Sequence, residues 1–175
     1  ITRLGYESII TDNHEEILKA DKVIFPGVGE ASSAMAYLKE RELDKLIPSL
    51  KQPVLGICLG LQLLCKDSEE GNTKCLGVFN SSTKRFPPED KVPHMGWNNF
   101  SANSDSELFK EIPHENDVYY VHGYYAEISD DTIATSNYIT SFSSIMKKDN
   151  FYAMQFHPEK SANVGEQLLK NFLEI

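Results

Sequence analysis

Residues 53–64 read Pro-Val-Leu-Gly-Ile-Cys-Leu-Gly-Leu-Gln-Leu-Leu, and this stretch decides the fold. The apolar run at 54–57 predicts a buried strand of an α/β protein, where helices cover both faces of the sheet. A helical segment follows at once. The turn at 56–60 has the G-x-C-x-G form of a nucleophile elbow, a tight strand-to-helix turn. Cys58 is therefore a candidate nucleophile at a helix N-terminus, which favours a thiolate; a tight turn with a buried cysteine is the alternative.

Length and composition limit the class of protein. A chain of 175 residues can bury a core of its own, and we expect one domain over residues 1–175. Three cysteines without C-x-x-C or zinc spacing predict no disulfide framework and a reducing, cytoplasmic location. A net charge of −9 argues against general binding to nucleic acids or anionic membranes. No signal peptide or membrane span is recognised.

Before the elbow, the patterns predict alternating strands and helices. The predicted elements are a helix end closed by Gly5, a strand at 6–11, a helix from Asp12 or Asn13 to Ala20, a strand at 22–25 and a helix at 30–39. The turn Pro26-Gly-Val-Gly29 could offer backbone N–H groups to an anion; an ordinary strand-to-helix loop is the alternative.

After the elbow, strands dominate. Cys65, among leucines, is predicted to belong to the core, and residues 67–72 to form a surface loop. Short strands are expected between 76 and 100, outside the main sheet. Beyond them we expect helices at 107–112 and 163–173 and strands at 117–121, 132–137, 141–147 and 151–156. The predicted fold is one α/β domain with a mixed, mostly parallel sheet flanked by helices.

The end of the last predicted strand supplies a possible base for the nucleophile. Proline favours extended backbone before it, so residues 157–159 are expected to continue in a strand-like conformation. Side chains two residues apart then share a face. Glu159 could hold the tautomer of the His157 imidazole while the other ring nitrogen faces Cys58. Of the remaining histidines, His94 and His122 are candidates for a pocket wall or, alternatively, hydrogen-bonded structural residues.

The chain resembles the class I, triad-type glutamine amidotransferases, and among them the glutaminase subunits of imidazole glycerol phosphate synthases. The resemblance runs over residues 1–175. The motifs that carry it are 26-Pro-Gly-Val-Gly, 56-Gly-Ile-Cys-Leu-Gly-Leu-Gln, 84-Lys-Arg-Phe-Pro, 93-Pro-His-Met-Gly-Trp-Asn, 120-Tyr-Val-His-Gly-Tyr-Tyr and 155-Gln-Phe-His-Pro-Glu-Lys-Ser. The elbow and His-Pro-Glu mark the whole class, whereas Pro-His-Met-Gly-Trp-Asn and the final Lys-Ser point to this subfamily.

The resemblance implies hydrolysis of L-glutamine to glutamate and ammonia. Cys58 would form a γ-glutamyl thioester, His157 would protonate the leaving ammonia, and Glu159 would orient His157. The oxyanion would be held by the backbone N–H of Leu59 and one from the turn at Gly27-Val28, which in this family is thought to reorient when the partner is engaged. No metal or organic cofactor is implied.

The resemblance also implies binding positions and a partner. The implied glutamine-binding residues are Gly29, Gln62, His122, Gly123 and Tyr124. The implied partner is a (β/α)₈ cyclase subunit that receives the ammonia and makes imidazole glycerol phosphate and an aminoimidazole carboxamide ribotide in histidine biosynthesis. The residues expected near that interface are Trp97, Asn98 and Lys160.

Two departures and three alternatives accompany this interpretation. Gly123 stands where the family usually has serine, and the family's N-terminal strand, glycine-rich turn and most of its first helix are expected to be absent from this sequence. The alternatives are an amidotransferase of another pathway, an inactive amidotransferase-like module that regulates a partner, and a general cysteine hydrolase. The last leaves the glutamine-side motifs unexplained.

Overall fold

In this computed structural model, which describes residues 1–175, helices and strands alternate early in the chain and strands dominate later. The helices are α1 (His14–Lys19), α2 (Ala31–Glu40), α3 (Leu43–Ser49), α4 (Leu59–Leu64) and α5 (Ala162–Glu174). The strands are β1 (Val23–Gly27), β2 (Val54–Cys58), β3 (Asp67–Ser68), β4 (Thr73–Lys74), β5 (Ser82–Arg85), β6 (His94–Asn98), β7 (Ser101–Ala102), β8 (Val118–His122), β9 (Tyr124–Ala126), β10 (Thr132–Tyr138), β11 (Thr140–Lys148) and β12 (Phe151–Met154). Short 3-10 helices cover Thr2–Leu4, Glu70–Asn72, Glu107–Phe109 and Pro158–Lys160.

The central sheet has six strands in the order β1-β2-β12-β11-β10-β7. Parallel pairing joins β2 to β1 and to β12, and the remaining pairs are antiparallel. A second sheet, β4-β3-β5-β9, and the pair β6-β8 lie outside it. The predicted α/β architecture, a mixed sheet flanked by helices, is confirmed. The sheet is not mostly parallel as expected, because only β1, β2 and β12 pair in parallel, whereas β11, β10 and β7 add antiparallel pairs.

Strand β2 is apolar throughout because it is covered on both faces. All five of its residues are buried. Val54 belongs to the core cluster formed with α2, α3 and α4, whereas Leu55 and Ile57 belong to the cluster formed with α5. The period of two that strand geometry imposes thus divides its side chains between two cores. The carboxyl end of β2 is thereby held rigidly where α4 begins.

The N-terminal region combines a correct and an incorrect prediction. Asn13 caps α1, with its side-chain oxygen accepting hydrogen bonds from the backbone of Glu15 and Glu16, and Gly5 adopts the left-handed conformation with φ of 83°. The predicted strand at 6–11 is wrong. The segment pairs with no other strand, and Ile10 is fully exposed. Alternation alone does not make a strand, because its backbone groups need a partner ladder.

Residues 67–72 also differ from the prediction of a plain loop. They form β3 and a 3-10 turn, and β3 pairs with both β4 and β5. Strands β7 and β9 and helix α3 have no counterpart among the predicted elements. Both strands have three residues or fewer and α3 has seven, so periodicity had little length over which to show itself.

No helix of the chain has the length and apolar character needed to cross a bilayer. No group of three or more histidine, cysteine, aspartate or glutamate side chains is arranged to hold a metal ion.

Candidate active site

Cys58 occupies a strained position between β2 and α4. It is the last residue of the strand and the N-cap of the helix, with φ of 53° and ψ of −108°. Positive φ is uncommon for a residue with a Cβ, and it persists only where the surrounding structure imposes it. The side chain is 8% exposed. The geometry is that of a nucleophile elbow, as the G-x-C-x-G pattern predicted.

Gly60 of the elbow and Gly27 of β1 are required because β1 and the first turn of α4 approach each other closely. A Cβ at Gly60 would overlap the carbonyl oxygen of Phe25 in β1. A Cβ at Gly27 would lie 2.9 Å from the Cβ of Leu59. Strand β1 therefore runs directly against the first turn of α4, and Gly27 pairs in register with Cys58. This contact fixes the Gly27-Val28 turn beside the cysteine.

His157 and Glu159 meet beside the elbow, although not through the backbone that the sequence predicted. Pro158–Lys160 forms a 3-10 turn, so the expected strand-like continuation is wrong; only His157 is extended, with φ of −96° and ψ of 97°. The two side chains still pair, with Nδ1 of His157 2.7 Å from Oε1 of Glu159. The contact forms because His157 is the extended N-cap residue of the turn, from which its ring meets the Glu159 carboxylate.

Ser161 holds this turn in place, a role that sequence reasoning missed. Its buried hydroxyl donates to the carbonyl oxygen of His157 at 2.6 Å and accepts the backbone N–H of Tyr119 at 2.9 Å. The backbone N–H of His157 in turn donates to the carbonyl of Tyr119 at 2.9 Å. The histidine is thus fastened to β8 by three hydrogen bonds. The serine of the Lys-Ser motif was the available signal.

The electrostatics indicate a protonated imidazole. The contact with the Cys58 side chain, followed by the hydrogen bond to Glu159, raises the pKa of His157 to about 9. Burial acts to raise the pKa of Glu159, but the hydrogen bond from His157 and further contacts leave that pKa below its ordinary value. At neutral pH the site therefore combines an imidazolium with an ionised carboxylate, next to a cysteine.

Two buried glutamines lie next to the cysteine. Gln62 lies one helical turn after Cys58, and its Nε2 donates to the carbonyl of Tyr124 at 2.9 Å and to Oε1 of Gln155 at 3.1 Å. Nε2 of Gln155 donates towards Sγ of Cys58 at 3.8 Å. Sequence reasoning assigned nothing to Gln155. Its place two residues before His157 on an extended segment was a usable signal, because such side chains share a face.

The other predicted binding positions lie on and after β8, whose Val121 carbonyl is 3.9 Å from Sγ of Cys58, and after β1. The side chain of His122 is buried and pairs with that of His94 at 3.1 Å. The carbonyl of Gly123 accepts the backbone N–H of Phe86 at 3.1 Å. Gly29 follows the turn with φ of 98° and is exposed.

The turn at 26–29 is anchored from a region to which no function was assigned. The backbone N–H of Ala31, at the start of α2, donates to the Glu70 carboxylate at 2.7 Å. The Glu30 carboxylate accepts the backbone N–H of Ser33 and caps the same helix. Glu70 therefore ties the segment that follows Gly29 to the 3-10 turn at 70–72.

The residues predicted at an interface divide into two groups. Trp97 is 55% exposed and packs edge-to-face against Tyr119 at 5.9 Å, and Nζ of Lys160 lies 5.9 Å from the same tyrosine ring. These side chains form an accessible surface next to Glu159. The Asn98 amide instead turns inward, donating to the carbonyl of Asn137 at 3.0 Å.

Comparison with known proteins gives the same family along the whole chain. Residues 1–175 match the class-I glutamine amidotransferase family. The imidazole glycerol phosphate synthase subunit HisH of Bacteroides fragilis strain YCH46 is 55% identical over 178 aligned positions, covering 100% of this chain and 90% of the relative. The subunit of the same name from Buchnera aphidicola of Acyrthosiphon pisum is 46% identical over 177 aligned positions, covering 100% of this chain and 90% of the relative.

Solved structures share the fold at lower identity. A crystal structure of a glutamine amidotransferase superposes with a TM-score of 0.75 at 17% identity, covering 99% of this chain and 88% of that one. A glutamine amidotransferase from Thermotoga maritima gives a TM-score of 0.62 at 23% identity, covering 89% of this chain and 64% of that one. These likenesses support the architecture.

Proposed function

The chain belongs to the class-I glutamine amidotransferase family, and from this premise we propose that it is the glutaminase subunit of an imidazole glycerol phosphate synthase. It hydrolyses L-glutamine and delivers ammonia to a cyclase subunit in histidine biosynthesis. The observation that carries the proposal is the convergence of a strained Cys58, an imidazolium at His157 and the Glu159 carboxylate at 2.7 Å. Identity of 55% along the chain to a HisH subunit supports the pathway.

In the first half-reaction, the Cys58 sulfur attacks the side-chain amide carbon of glutamine. The C–N bond breaks, His157 gives its proton to the leaving nitrogen, and ammonia departs from a γ-glutamyl thioester. The pKa of about 9 keeps that proton on His157 at neutral pH. Glu159 orients the ring through Nδ1, so that Nε2 is free to face the sulfur.

In the second half-reaction, the neutral His157 accepts a proton from water, and the resulting hydroxide attacks the thioester carbonyl. The C–S bond breaks, glutamate leaves and the cysteine is restored. In both halves, we propose that the oxyanion is held by the backbone N–H of Leu59 and one from the Gly27-Val28 turn. Glutamine is bound by Gly29, Gln62 and the backbone at 122–124.

The partner follows from the chemistry of the product. Ammonia released into neutral water is protonated and loses its nucleophilicity, so it must pass directly to a second site. We propose the exposed surface formed by Trp97, Tyr119 and Lys160 as part of the contact with the cyclase, because it adjoins Glu159 and combines two aromatic rings with a cation. The cyclase is a separate (β/α)₈ subunit.

The proposal is tested by measuring glutamate release from glutamine while the cyclase and its nucleotide ligand are titrated into the chain. We expect strong stimulation that saturates at one cyclase per chain. Stimulation by the synthase of a different pathway, and not by the cyclase, would favour the alternative amidotransferase. No release under any of these conditions would contradict the proposed activity.

The raised pKa of His157 predicts a specific dependence on pH. The imidazolium of the free enzyme persists up to about pH 9, so kcat/KM, which reports ionisations of the free enzyme, should fall only above that pH. Because the folded pKa of His157 exceeds the ordinary 6.5, the contact stabilises the fold fully below pH 6.5 and loses that effect as pH rises towards 9. The measurement is the pH profile of kcat/KM for glutamine with the cyclase bound.

The pH profile of the Glu159→Gln variant is compared with that of the unsubstituted protein. Without the carboxylate the pKa of His157 should fall, which moves the alkaline decline of kcat/KM to lower pH. If kcat/KM declined at the same alkaline pH in both proteins, His157 would not be the titrating group.

Replacing Trp97 with alanine is expected to weaken cyclase binding without disturbing the fold. Loss of an exposed aromatic anchor should raise Kd by about 10- to 100-fold, whereas the free energy of unfolding should change by less than about 0.5 kcal/mol. Calorimetric titration and chemical denaturation measure the two effects. Ile128→Ala serves as the control because Ile128, at 52% exposed, is as accessible as Trp97 but lies in the loop after β9, whereas Trp97 lies on β6. Equal losses of affinity in both variants would argue against a Trp97 contact.

A further inference from the structure

His94 and His122 form a buried pair that the proposed chemistry does not use. They face each other in register across β6 and β8, and they are 4% and 5% exposed. Nδ1 of His94 lies 3.1 Å from Nε2 of His122. One ring must donate and the other accept, so the placement of the protons is a structural property of the pair.

The Asn98 amide lies beside the outer ring nitrogen of His94. Its Oδ1 accepts the backbone N–H of Asn99 at 2.9 Å, which fixes the amide so that Nδ2 is the donor side. One Nδ2 hydrogen goes to the carbonyl of Asn137 at 3.0 Å, and Nδ2 also lies 3.5 Å from Nε2 of His94. That ring nitrogen thus faces the donor side of the amide.

His122 fixes the placement of the protons. A carbonyl oxygen only accepts, so Nδ1 of His122, which lies 2.8 Å from the Tyr124 oxygen, carries the proton of that neutral ring. Nε2 of His122 therefore accepts from His94, and the His94 proton is on Nδ1 as well. The donors thus run in one direction, from the Asn98 amide through both rings to a backbone oxygen.

Aromatic packing and burial keep both imidazole rings neutral and in fixed orientations. His94 is stacked between Tyr120, with centroids 4.8 Å apart, and Tyr138, at 4.0 Å. Burial lowers the pKa of His94 to about 4 and that of His122 to about 3, with the positive charge at His157 a further, smaller cause for His122. The pair therefore acts as a fixed array of hydrogen bonds.

The array ends on an atom that the active site shares. The Tyr124 carbonyl accepts from His122 at 2.8 Å and from Nε2 of Gln62 at 2.9 Å, which occupies both of its lone pairs. Gln62 donates to Gln155, and Gln155 donates towards the Cys58 sulfur at 3.8 Å. If the Gln62 amide were reversed, its oxygen would face the Tyr124 carbonyl and Oε1 of Gln155, and neither atom can donate a hydrogen bond. The Tyr124 carbonyl thus determines which way both amides point.

We propose that His94 and His122 are positioning residues for glutamine hydrolysis: their one-way hydrogen-bond array fixes the Tyr124 carbonyl, and through it the orientation of the Gln62 and Gln155 amides. The inference rests on the proposed glutaminase activity. Because the hydrogen bonds of the two rings go to each other, to Asn98 and to the Tyr124 carbonyl, and not to Cys58 or His157, their loss alters glutamine binding more than bond breaking. KM should therefore rise while kcat is largely retained.

The test compares three forms of the complex with the cyclase. His122→Phe fills the space without a donor, and KM for glutamine should rise about tenfold, as expected for one lost hydrogen bond, with kcat within about threefold. His122→Asn keeps a donor near the position of Nδ1 and should recover most of the lost affinity. His114→Asn, in an exposed loop, controls for loss of a histidine.

A spectroscopic measurement on the unsubstituted protein tests the array without any variant. Two-bond ¹H–¹⁵N correlation of the histidine rings at pH 7 should show both His94 and His122 with the proton on Nδ1. A proton on Nε2 of either ring would overturn the array. Equal KM values for the Phe and Asn variants, or a parallel loss of kcat in both, would overturn the positioning role. Absence of glutamate release by the unsubstituted complex would instead contradict the proposed function.

Discussion

The Cys58→Ala variant should release no glutamate from glutamine, a loss of at least about 10⁴-fold in kcat, while its affinity for the cyclase stays unchanged. The sulfur forms the thioester, and no neighbouring group can replace it as nucleophile. The side chain is only 8% exposed, so its removal alters no outer surface. Glutamate release and calorimetric titration with the cyclase separate the two effects.

Cys65→Ala is the matched control. Cys65 is fully buried in the leucine-rich core, and burial raises the pKa of its thiol to about 12, so it stays protonated and unreactive. The variant should keep its activity and lose about 1 kcal/mol of stability to the small cavity. Glutamate release by the Cys58→Ala variant would remove Cys58 from the nucleophile role. Loss of cyclase binding would show instead that the substitution disturbs the fold.

The elbow, β2 and α5 can be predicted from sequence patterns that extend over a few neighbouring residues. The elbow at 56–60 is recognisable because close backbone packing requires both of its glycines: Gly60 lies against β1 and Gly56 against α4. Strand β2 is recognisable because burial on both faces makes it apolar throughout. Helix α5 is recognisable because it is long enough, at 13 residues, for its periodicity to show. The family motifs then supply the pairing of Cys58 with His157.

Other features depend on neighbours that are distant in sequence. Residues 6–11 mix apolar and polar side chains in a strand-like pattern, but they form hydrogen bonds with no neighbouring strand. The proton order of His94 and His122 depends on the Tyr124 carbonyl, and no pattern in the chain brings those groups together. Gln155 gains its role only because β12 lies next to β2, which places its amide beside the sulfur.

The Gly60→Ala variant is expected to lose stability and activity together. The new Cβ would overlap the carbonyl oxygen of Phe25, so β1 must move away from α4. Overpacking against backbone should cost about 3 kcal/mol, more than the ~1 kcal/mol that alanine gains over glycine in a helix. The displacement carries the Gly27-Val28 turn away from Cys58, so kcat should fall about 100-fold in the protein that remains folded.

Gly123→Ala distinguishes this effect from a general intolerance of side chains near the site. A Cβ at Gly123 meets only Cγ1 of Val92, at an ordinary 3.8 Å, and its φ lies outside the left-handed region. The substitution should therefore change stability by less than about 1 kcal/mol, in either direction. Chemical denaturation and kcat are measured for both variants. If Gly60→Ala were as stable and active as Gly123→Ala, the contact between β1 and α4 could not be what holds the turn beside the nucleophile.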